Sequence, residues 1–339
     1  MIARGILDTI GDTPLVRLER LFPELDAQVF AKAEWFNPGG SVKDRAALSM
    51  LLGKIESGEL APDRSVVVES SSGNLAIGIA QICRYYRLPF VCVVDPRTTE
   101  QNVAILRAFR AHVEIVTEPD DRTGEYLPAR IRRVKEIVGN LPGAYWPNQY
   151  ANPLNAKAHE RTMHEIATAL DGRVDYLFCA TSSCGTLHGC VTYVREHGLS
   201  TTIVAVDAMG SAIFDGDSSS SRLIPGYGAS VRPALLEPED ADGVVHVSDL
   251  ECVVACHRLM WREAILAGGS SGATVAALQR MSDRIPAGAN CVCVFPDGGD
   301  RYLDTIYSAS WVRRNFGDAE HELFPPDELE GGVRDHHSP

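Results

Sequence analysis

The sequence predicts an α/β fold with parallel sheets, and two observations carry that prediction. Short apolar runs rich in Val, Ile, Cys and Phe recur along the 339 residues, and longer stretches of helical spacing separate them. The runs are apolar throughout rather than alternating, which suits strands covered on both faces by helices.

In chain order, the strand candidates are residues 29–32, 65–69, 90–94, 112–116, 176–180, 203–207, 244–247 and 291–295. The helix candidates are residues 46–57, 75–86, 102–109, 126–138, 158–170, 187–197, 249–263 and 272–284. No repeat of 20–50 residues and no coiled-coil pattern interrupts this alternation. Residues 215–221 (DGDSSSS) read as a polar loop. The tail from Gly317 is acidic, carries prolines and ends in DHHSP, a composition expected to be poorly ordered.

The totals narrow the function. A length of 339 residues suffices for two domains with substantial cores. A net charge of −13 argues against a nucleic-acid groove or an anionic membrane as the main partner, yet leaves room for a locally positive site. No N-terminal apolar region resembles a signal, and no run approaches a membrane span. The nine cysteines, several inside apolar runs such as FVCVV and CVCVF, read as reduced core residues of a cytoplasmic protein.

The search for chemistry begins with an anomaly at 37-NPGGSVKDRAAL-48, where Lys43 follows a Gly-Gly-Ser turn at the start of a helix. A helix start is partly positive, so a cation there costs roughly 0.3–1 kcal/mol. Ser41 is the expected cap, and the glycines would let the backbone pass close to a ligand. Nucleotide signatures are absent. In 159-HERTMH-164 the two histidines stand at i and i+5 and do not share a helix face, and Cys252, Cys256 and His257 lack a second ligand pair, so no metal is expected. What recurs are small polar loops before helices: 69-ESSSGNLAIG-78, 181-TSSCGT-186 and 268-GGSSGATVAA-277. Each offers backbone N–H groups and hydroxyls at a helix N-terminus, a geometry that binds phosphate or carboxylate. A phosphate cradle beside a lysine suited to be neutral points to pyridoxal 5′-phosphate.

The segments 11-GDTPLVRL-18, 36-FNPGGSVKDR-45, 70-SSSGNLAIG-78, 148-NQYANPLN-155, 182-SSCGT-186, 267-AGGSSGA-273 and 296-PDGGDRYLDT-305 run in one order over roughly residues 5–315. In these the chain resembles the cysteine synthase/cystathionine β-synthase family of fold-type II pyridoxal-phosphate enzymes. That family's fold is tryptophan synthase β-like, with two domains, each a mostly parallel sheet flanked by helices. EWFNPGGSVKDR, CVVDPR, GEYLPARI, AYWPNQYAN, VAVDAMGSAIF and PDGGDRYLD further resemble its branch that serves 2,3-diaminopropionate and siderophore biosynthesis. The resemblance implies β-replacement: O-phospho-L-serine loses phosphate and L-glutamate takes its place. A cysteine synthase using O-phosphoserine or O-acetylserine with sulfide shares almost every motif. A serine/threonine dehydratase and a catalytically silent homologue are further alternatives.

Residue roles follow from the same resemblance. Lys43 would hold the cofactor covalently and move the substrate's α-proton. Ser182, Ser183, Cys184, Gly185 and Thr186 would hold its phosphate, with Ser183 and Cys184 standing where the family often has glycine. Asn74 would meet the ring hydroxyl and Ser270 the pyridine nitrogen; a serine there leaves the ring a weaker electron sink, favouring β-elimination. Ser71, Ser72, Gly73 and Gln149 would bind the substrate carboxylate. Arg130 and Tyr150, with Ser182 nearby, would hold the leaving phosphate, although a solvated helix face is an equal reading for Arg130, since Arg132 and Arg133 follow it. The resemblance also implies a homodimer, a large domain of residues 1–45 and 153–316, a small mobile domain of residues 46–152, and a disordered tail at residues 317–339.

Overall fold

The computed structural model describes residues 2–214, 222–237, 239–317, 319 and 323. The expected polar loop at 215–221 and nearly all of the expected disordered tail fall outside these residues.

The chain begins with β1 (Leu15–Arg17), β2 (Ala27–Ala33) and α1 (Lys43–Glu56). It continues through β3 (Val66–Ser70), α2 (Asn74–Tyr85), β4 (Phe90–Val94), α3 (Glu100–Ala108), β5 (His112–Ile115), α4 (Tyr126–Asn140) and β6 (Ala144–Tyr145). Then follow α5 (Pro153–Ala169), β7 (Tyr176–Ala180), α6 (Gly185–Glu196), β8 (Thr202–Ala208) and β9 (Gly243–Val247). The last elements are α7 (Asp249–Glu263), α8 (Gly269–Met281), β10 (Ala289–Phe295) and α9 (Ala309–Phe316).

Two sheets result. A six-stranded sheet runs in the order β1-β2-β10-β7-β8-β9, parallel except where β1 pairs antiparallel with β2. A four-stranded, wholly parallel sheet runs β5-β4-β3-β6 and is built entirely from residues 66–145.

Successive strand side chains point to opposite faces, and both faces are dry. In the larger sheet Leu177, Cys179, Ile203, Ala205, Val292 and Val294 pack with Met163 and Ile166 of α5 and Leu187 and Val191 of α6. Their neighbours Phe178, Val204, Val206, Cys291, Cys293 and Phe295 pack with α7 and α8 on the other side. In the smaller sheet Val67, Phe90, Cys92 and Val94 face α1 and α2, whereas Val68 and Val93 face Val134 of α4. This double burial is why the strands read as unbroken apolar runs.

Every expected strand and helix is present; β4, β7 and α7 have the expected ends and the others are shifted. β1 and β6 were not expected, being three and two residues long. The helices α1, α5 and α8 start about one turn before their apolar periodicity does, because their first residues are Lys43, Pro153 and Gly269. Asn152 caps α5 by accepting from Leu154 N–H at 3.0 Å, which suits a proline in the first turn.

The loops after β3, β4, β7 and β10 leave the carboxyl ends of parallel strands, the place where ligands bind in open α/β sheets. Contacts such as Asn74 Nδ2 to Asp297 Oδ2 at 2.7 Å join the ends of the two sheets.

Candidate active site

Lys43 is the first residue of α1. Val42 N–H donates to Pro296 O at 2.8 Å, and Lys43 N–H donates to Ser41 Oγ at 3.2 Å. Ser41 therefore acts one residue before the N-cap, which is Val42. Gly40 turns the chain with φ +82°, and a Cβ there would stand 2.9 Å from the Arg301 guanidinium. Asp44 turns back to accept from Gly39 N–H at 2.5 Å. Burial pushes the Lys43 amine below its usual range, although Asp297, Cys184 and Glu34 pull the other way. Desolvation thus supplies the neutral-amine bias that the sequence reading assigned to the helix end.

Lys43, Gly226 and residues 182–186 line a pocket. Its cradle is the N-terminus of α6, where no side chain caps the backbone N–H groups. Cys184 is left-handed at φ 62°, which explains why glycine is at home at this position in the family. A Cβ on Gly185 would fall 2.4 Å from Asn155 Oδ1, a buried oxygen without a hydrogen bond. Asn155 Nδ2 donates to Ser183 Oγ at 3.1 Å and to Gln149 O at 2.7 Å, joining the cradle to the segment before α5. Thr186 Oγ1 lies 3.4 Å from His159 Nε2. Burial holds His159 well below its ordinary range, with Lys43 and Arg45 adding to the effect, so a neutral ring backs the cradle. Among the described residues no group of three His, Cys, Asp or Glu could hold a metal.

The second loop follows β3. Ser71 is buried, and its Oγ accepts from Gly73 N–H at 3.4 Å and Ala76 N–H at 3.3 Å; the Ser72 carbonyl accepts from Asn102 Nδ2 at 3.0 Å. The sequence reading passed over Glu69, the residue beneath this loop. Its Oε1 accepts from Trp146 Nε1 at 2.9 Å and Ser70 N–H at 2.7 Å, its buried Oε2 has no aligned partner, and the Asn148 and Gln149 backbones favour its charged form. Burial lifts it to about 7 against those hydrogen bonds. This buried acid thus ties Ser70, just before residues 71–73, to Trp146, three residues before Gln149. Asn74 opens α2 and meets Asp297 and Arg301. Ser270 is buried in the first turn of α8, and its Oγ would lie 3.6 Å from a Cβ on Gly226. The N-cap of that helix is Gly268, so Ser270 is not the cap.

Arg130 is resolved against the solvated-face reading. It is 9% exposed, whereas the side chains of Arg132 and Arg133 are 56% and 42% exposed and pair with acids at the surface. Arg130 Nε lies 3.3 Å from Asp95 Oδ2, but Nε and Nη1 have no aligned hydrogen-bond acceptor. Tyr150 sits in its field; burial raises the phenol, with Arg130 and Arg222 opposing and Glu69 adding to the rise.

The sequence reading also left Asp297, Arg301 and Tyr302 without roles, although all three lie in the PDGGDRYLDT segment. Their signal was three ionisable side chains directly after a buried strand. A cofactor with a phosphate and an aldehyde fits this donor set: an uncapped helix start, a buried lysine whose amine is biased toward neutrality, and unpartnered polar atoms around both.

The family model described as pyridoxal-phosphate dependent enzyme matches residues 6–297. The chain is 45% identical over 315 residues to N-(2-amino-2-carboxyethyl)-L-glutamate synthase of Ralstonia nicotianae, covering 93% of this chain and 92% of the relative. It is 44% identical over 318 residues to the protein of that name from Cupriavidus metallidurans, with the same shares. Among solved structures it is similar to the O-acetylserine dependent cystathionine beta-synthase of Helicobacter pylori, with a TM-score of 0.84 at 30% identity, covering 91% of this chain and 100% of the other. It is also similar to O-ureido-L-serine synthase with O-ureido-L-serine bound, at a TM-score of 0.84 and 29% identity over 98% of this chain and 100% of the other. The chain belongs to the family of pyridoxal-phosphate dependent enzymes.

Proposed function

We propose that the protein joins O-phospho-L-serine to L-glutamate, forming N-(2-amino-2-carboxyethyl)-L-glutamate and releasing phosphate. The observation that carries this reading is Arg130, a buried guanidinium with N–H groups lacking aligned acceptors, whose charge acts on Tyr150. The two relatives named for that product support it.

Pyridoxal phosphate, when bound, withdraws electrons from the substrate's α-carbon and so allows an α-proton and a β-substituent to leave. The chain's residues then have separable tasks. Lys43 anchors the cofactor, removes the α-proton in its neutral form and returns that proton at the end. Residues 71–73 and Gln149 bind the amino-acid carboxylate. Residues 182–186 would hold the cofactor phosphate, and Ser270 would meet its ring nitrogen. Arg130, with Tyr150 and Ser182, receives the departing phosphate, for which a planar guanidinium is suited. The glutamate amine supplies the new C–N bond. The reading includes a homodimer and a smaller body of residues 46–152 that moves when the carboxylate loop closes on substrate.

The test is product analysis. The cofactor-loaded protein is given O-phosphoserine with glutamate, with sulfide, or alone, and products are identified by mass. The glutamate adduct with one phosphate released is expected. Cysteine from sulfide with no glutamate adduct would establish the cysteine synthase instead, and pyruvate without acceptor the dehydratase. Lys43→Ala is expected to lose the borohydride-trapped link between cofactor and chain.

A further inference from the structure

The segment after β10 makes a clamp that the proposed chemistry does not use. The Asn74 carboxamide meets a different kind of group at each end. Its Oδ1 accepts from Arg301 Nη1, and its Nδ2 donates to Asp297 Oδ2 at 2.7 Å. Arginine has only donors and an ionised carboxylate only acceptors. Turning the amide over would set N–H against N–H at one end and oxygen against oxygen at the other. One orientation is therefore fixed, with Oδ1 toward Arg301.

Both clamping groups are themselves held. Arg301 Nη2 donates to Gly39 O at 2.6 Å, in the turn that carries Lys43. Asp297 is 1% exposed, and its Oδ2 also accepts from Tyr302 Oη at 2.6 Å. Its backbone bridges Ser41, and its carbonyl accepts from Gly268 N–H at 3.0 Å. A Cβ on Gly268 would stand 1.9 Å from Asp297 Oδ1, so this neighbour has to be glycine. The lysine turn, the start of α2 and the segment after β10 thus converge on one amide. Nδ2 carries two hydrogens and Asp297 takes one.

We infer that Asp297 and Arg301 are positioning residues that lock Asn74 with its nitrogen outward, so that the second N–H is donated to the cofactor's ring oxygen. The inference rests on the reading that Asn74 meets that oxygen. An N–H donor there stabilises the ionised ring oxygen, whereas a flipped amide would present a repelling carbonyl.

The test compares cofactor-loaded wild type with Asp297→Asn, Asn74→Ala, their double variant and Tyr302→Phe. The readouts are the visible absorbance maximum of the bound cofactor, its pH midpoint and the cofactor Kd. Asp297→Asn replaces a pure acceptor by a group that can also donate, so the lock is lost. It is expected to displace the maximum and midpoint in the direction Asn74→Ala does, and to weaken cofactor binding by about tenfold, the size of one hydrogen bond. In the Asn74→Ala background the Asp297→Asn change should add no further displacement of the maximum and no further loss of cofactor affinity; the midpoint alone keeps the direct effect of removing a carboxylate whose charge acts on Lys43. Tyr302→Phe keeps the acceptor for Asn74 and should retain the wild-type maximum. If Asn74→Ala leaves the spectrum unmoved, the reading beneath the inference fails and the inference with it. If Asn74→Ala shifts the spectrum but Asp297→Asn does not, or if its effect persists undiminished in the double variant, the lock alone is overturned. Should Asp297→Asn fold poorly, Arg301→Gln tests the same lock from the other end, with the same outcomes.

Discussion

Arg45 and Arg130 are both buried arginines, and they are buried for opposite ends. Arg45 Nε donates to Glu34 Oε2 at 2.7 Å, Nη2 to Glu34 Oε1 at 2.9 Å and to Glu165 Oε2 at 2.6 Å, and Nη1 to Glu165 Oε1 at 2.8 Å. Lys32 joins the cluster at 2.7 Å from Glu165, and Thr13 Oγ1 at 2.7 Å from Glu34. Every group is answered, and the cluster pins β2, α1 and α5 together directly behind Lys43. Arg130 has one carboxylate at 3.3 Å and two unanswered nitrogens. A guanidinium left unsatisfied in a dry place costs stability, which is tolerable when a ligand supplies the missing acceptors. The satisfied arginine is scaffold; the unsatisfied one is the group we propose binds the leaving phosphate.

Stability should separate the two most widely. Arg45→Met leaves the Glu34 carboxylate, wholly out of water, without a cation and takes one of the cations from Glu165, and a loss of about 3–5 kcal/mol in chemical denaturation is expected. Arg130→Met removes two donors without aligned acceptors but leaves the buried Asp95 carboxylate with only the Arg97 N–H at 2.8 Å, so a smaller loss of about 1–2 kcal/mol is expected. Comparable losses in both variants would erase the distinction.

Ligand linkage comes next. Inorganic phosphate at about 100 times its Kd should stabilise wild type by about 2.7 kcal/mol. The increment at Arg130 should vanish in Arg130→Met, measured with the cofactor already bound so that its own cradle is filled.

The pH dependence carries the comparison to the acids around each arginine. Burial would raise Glu165, but the hydrogen bonds and charge of Arg45, with Lys32, bring it down to about 2 from an ordinary 4.5. Its contribution is whole above about pH 4.5 and disappears as pH falls toward 2, on the order of 3 kcal/mol. Glu69, whose charge acts on Tyr150 as that of Arg130 does, runs the other way. Burial raises it to about 7, so its contribution is present below pH 4.5 and is lost as pH rises through 7. Denaturation midpoints followed across pH should lose the acid-side slope in Glu165→Gln and the fall toward neutrality in Glu69→Gln. The smallest effect belongs to Arg132→Ala, whose guanidinium is more than half exposed and whose partner Asp120 keeps the Arg122 and Thr123 N–H groups, so a loss of about 1 kcal/mol or less is expected.

The fold was legible where burial on both faces leaves a continuous apolar run, as in FVCVV and CVCVF. β1 and β6 were not, because three and two residues show no period and exist only through their partners. Lys43 and the three polar loops could be read because each is local, a few residues at a helix start. Glu34, Glu165 and Lys32 could not, since the cluster joins residues 133 apart in sequence. The Asn74–Arg301 contact spans 227 residues and was equally hidden. Arg130 stayed undecided on paper for a related reason: neighbouring arginines on one helix look alike until tertiary packing buries one of them.

The most direct measurement is the ratio of kcat/KM for O-phospho-L-serine to that for O-acetyl-L-serine, with L-glutamate as acceptor, in wild type and in Arg130→Met. A wild-type preference for the phosphorylated donor is predicted, falling by about a hundredfold in the variant, the worth of a charge-assisted contact of some 2–3 kcal/mol. An unchanged ratio, or a wild type that prefers the acetylated donor, would contradict the assignment of Arg130 to the leaving phosphate.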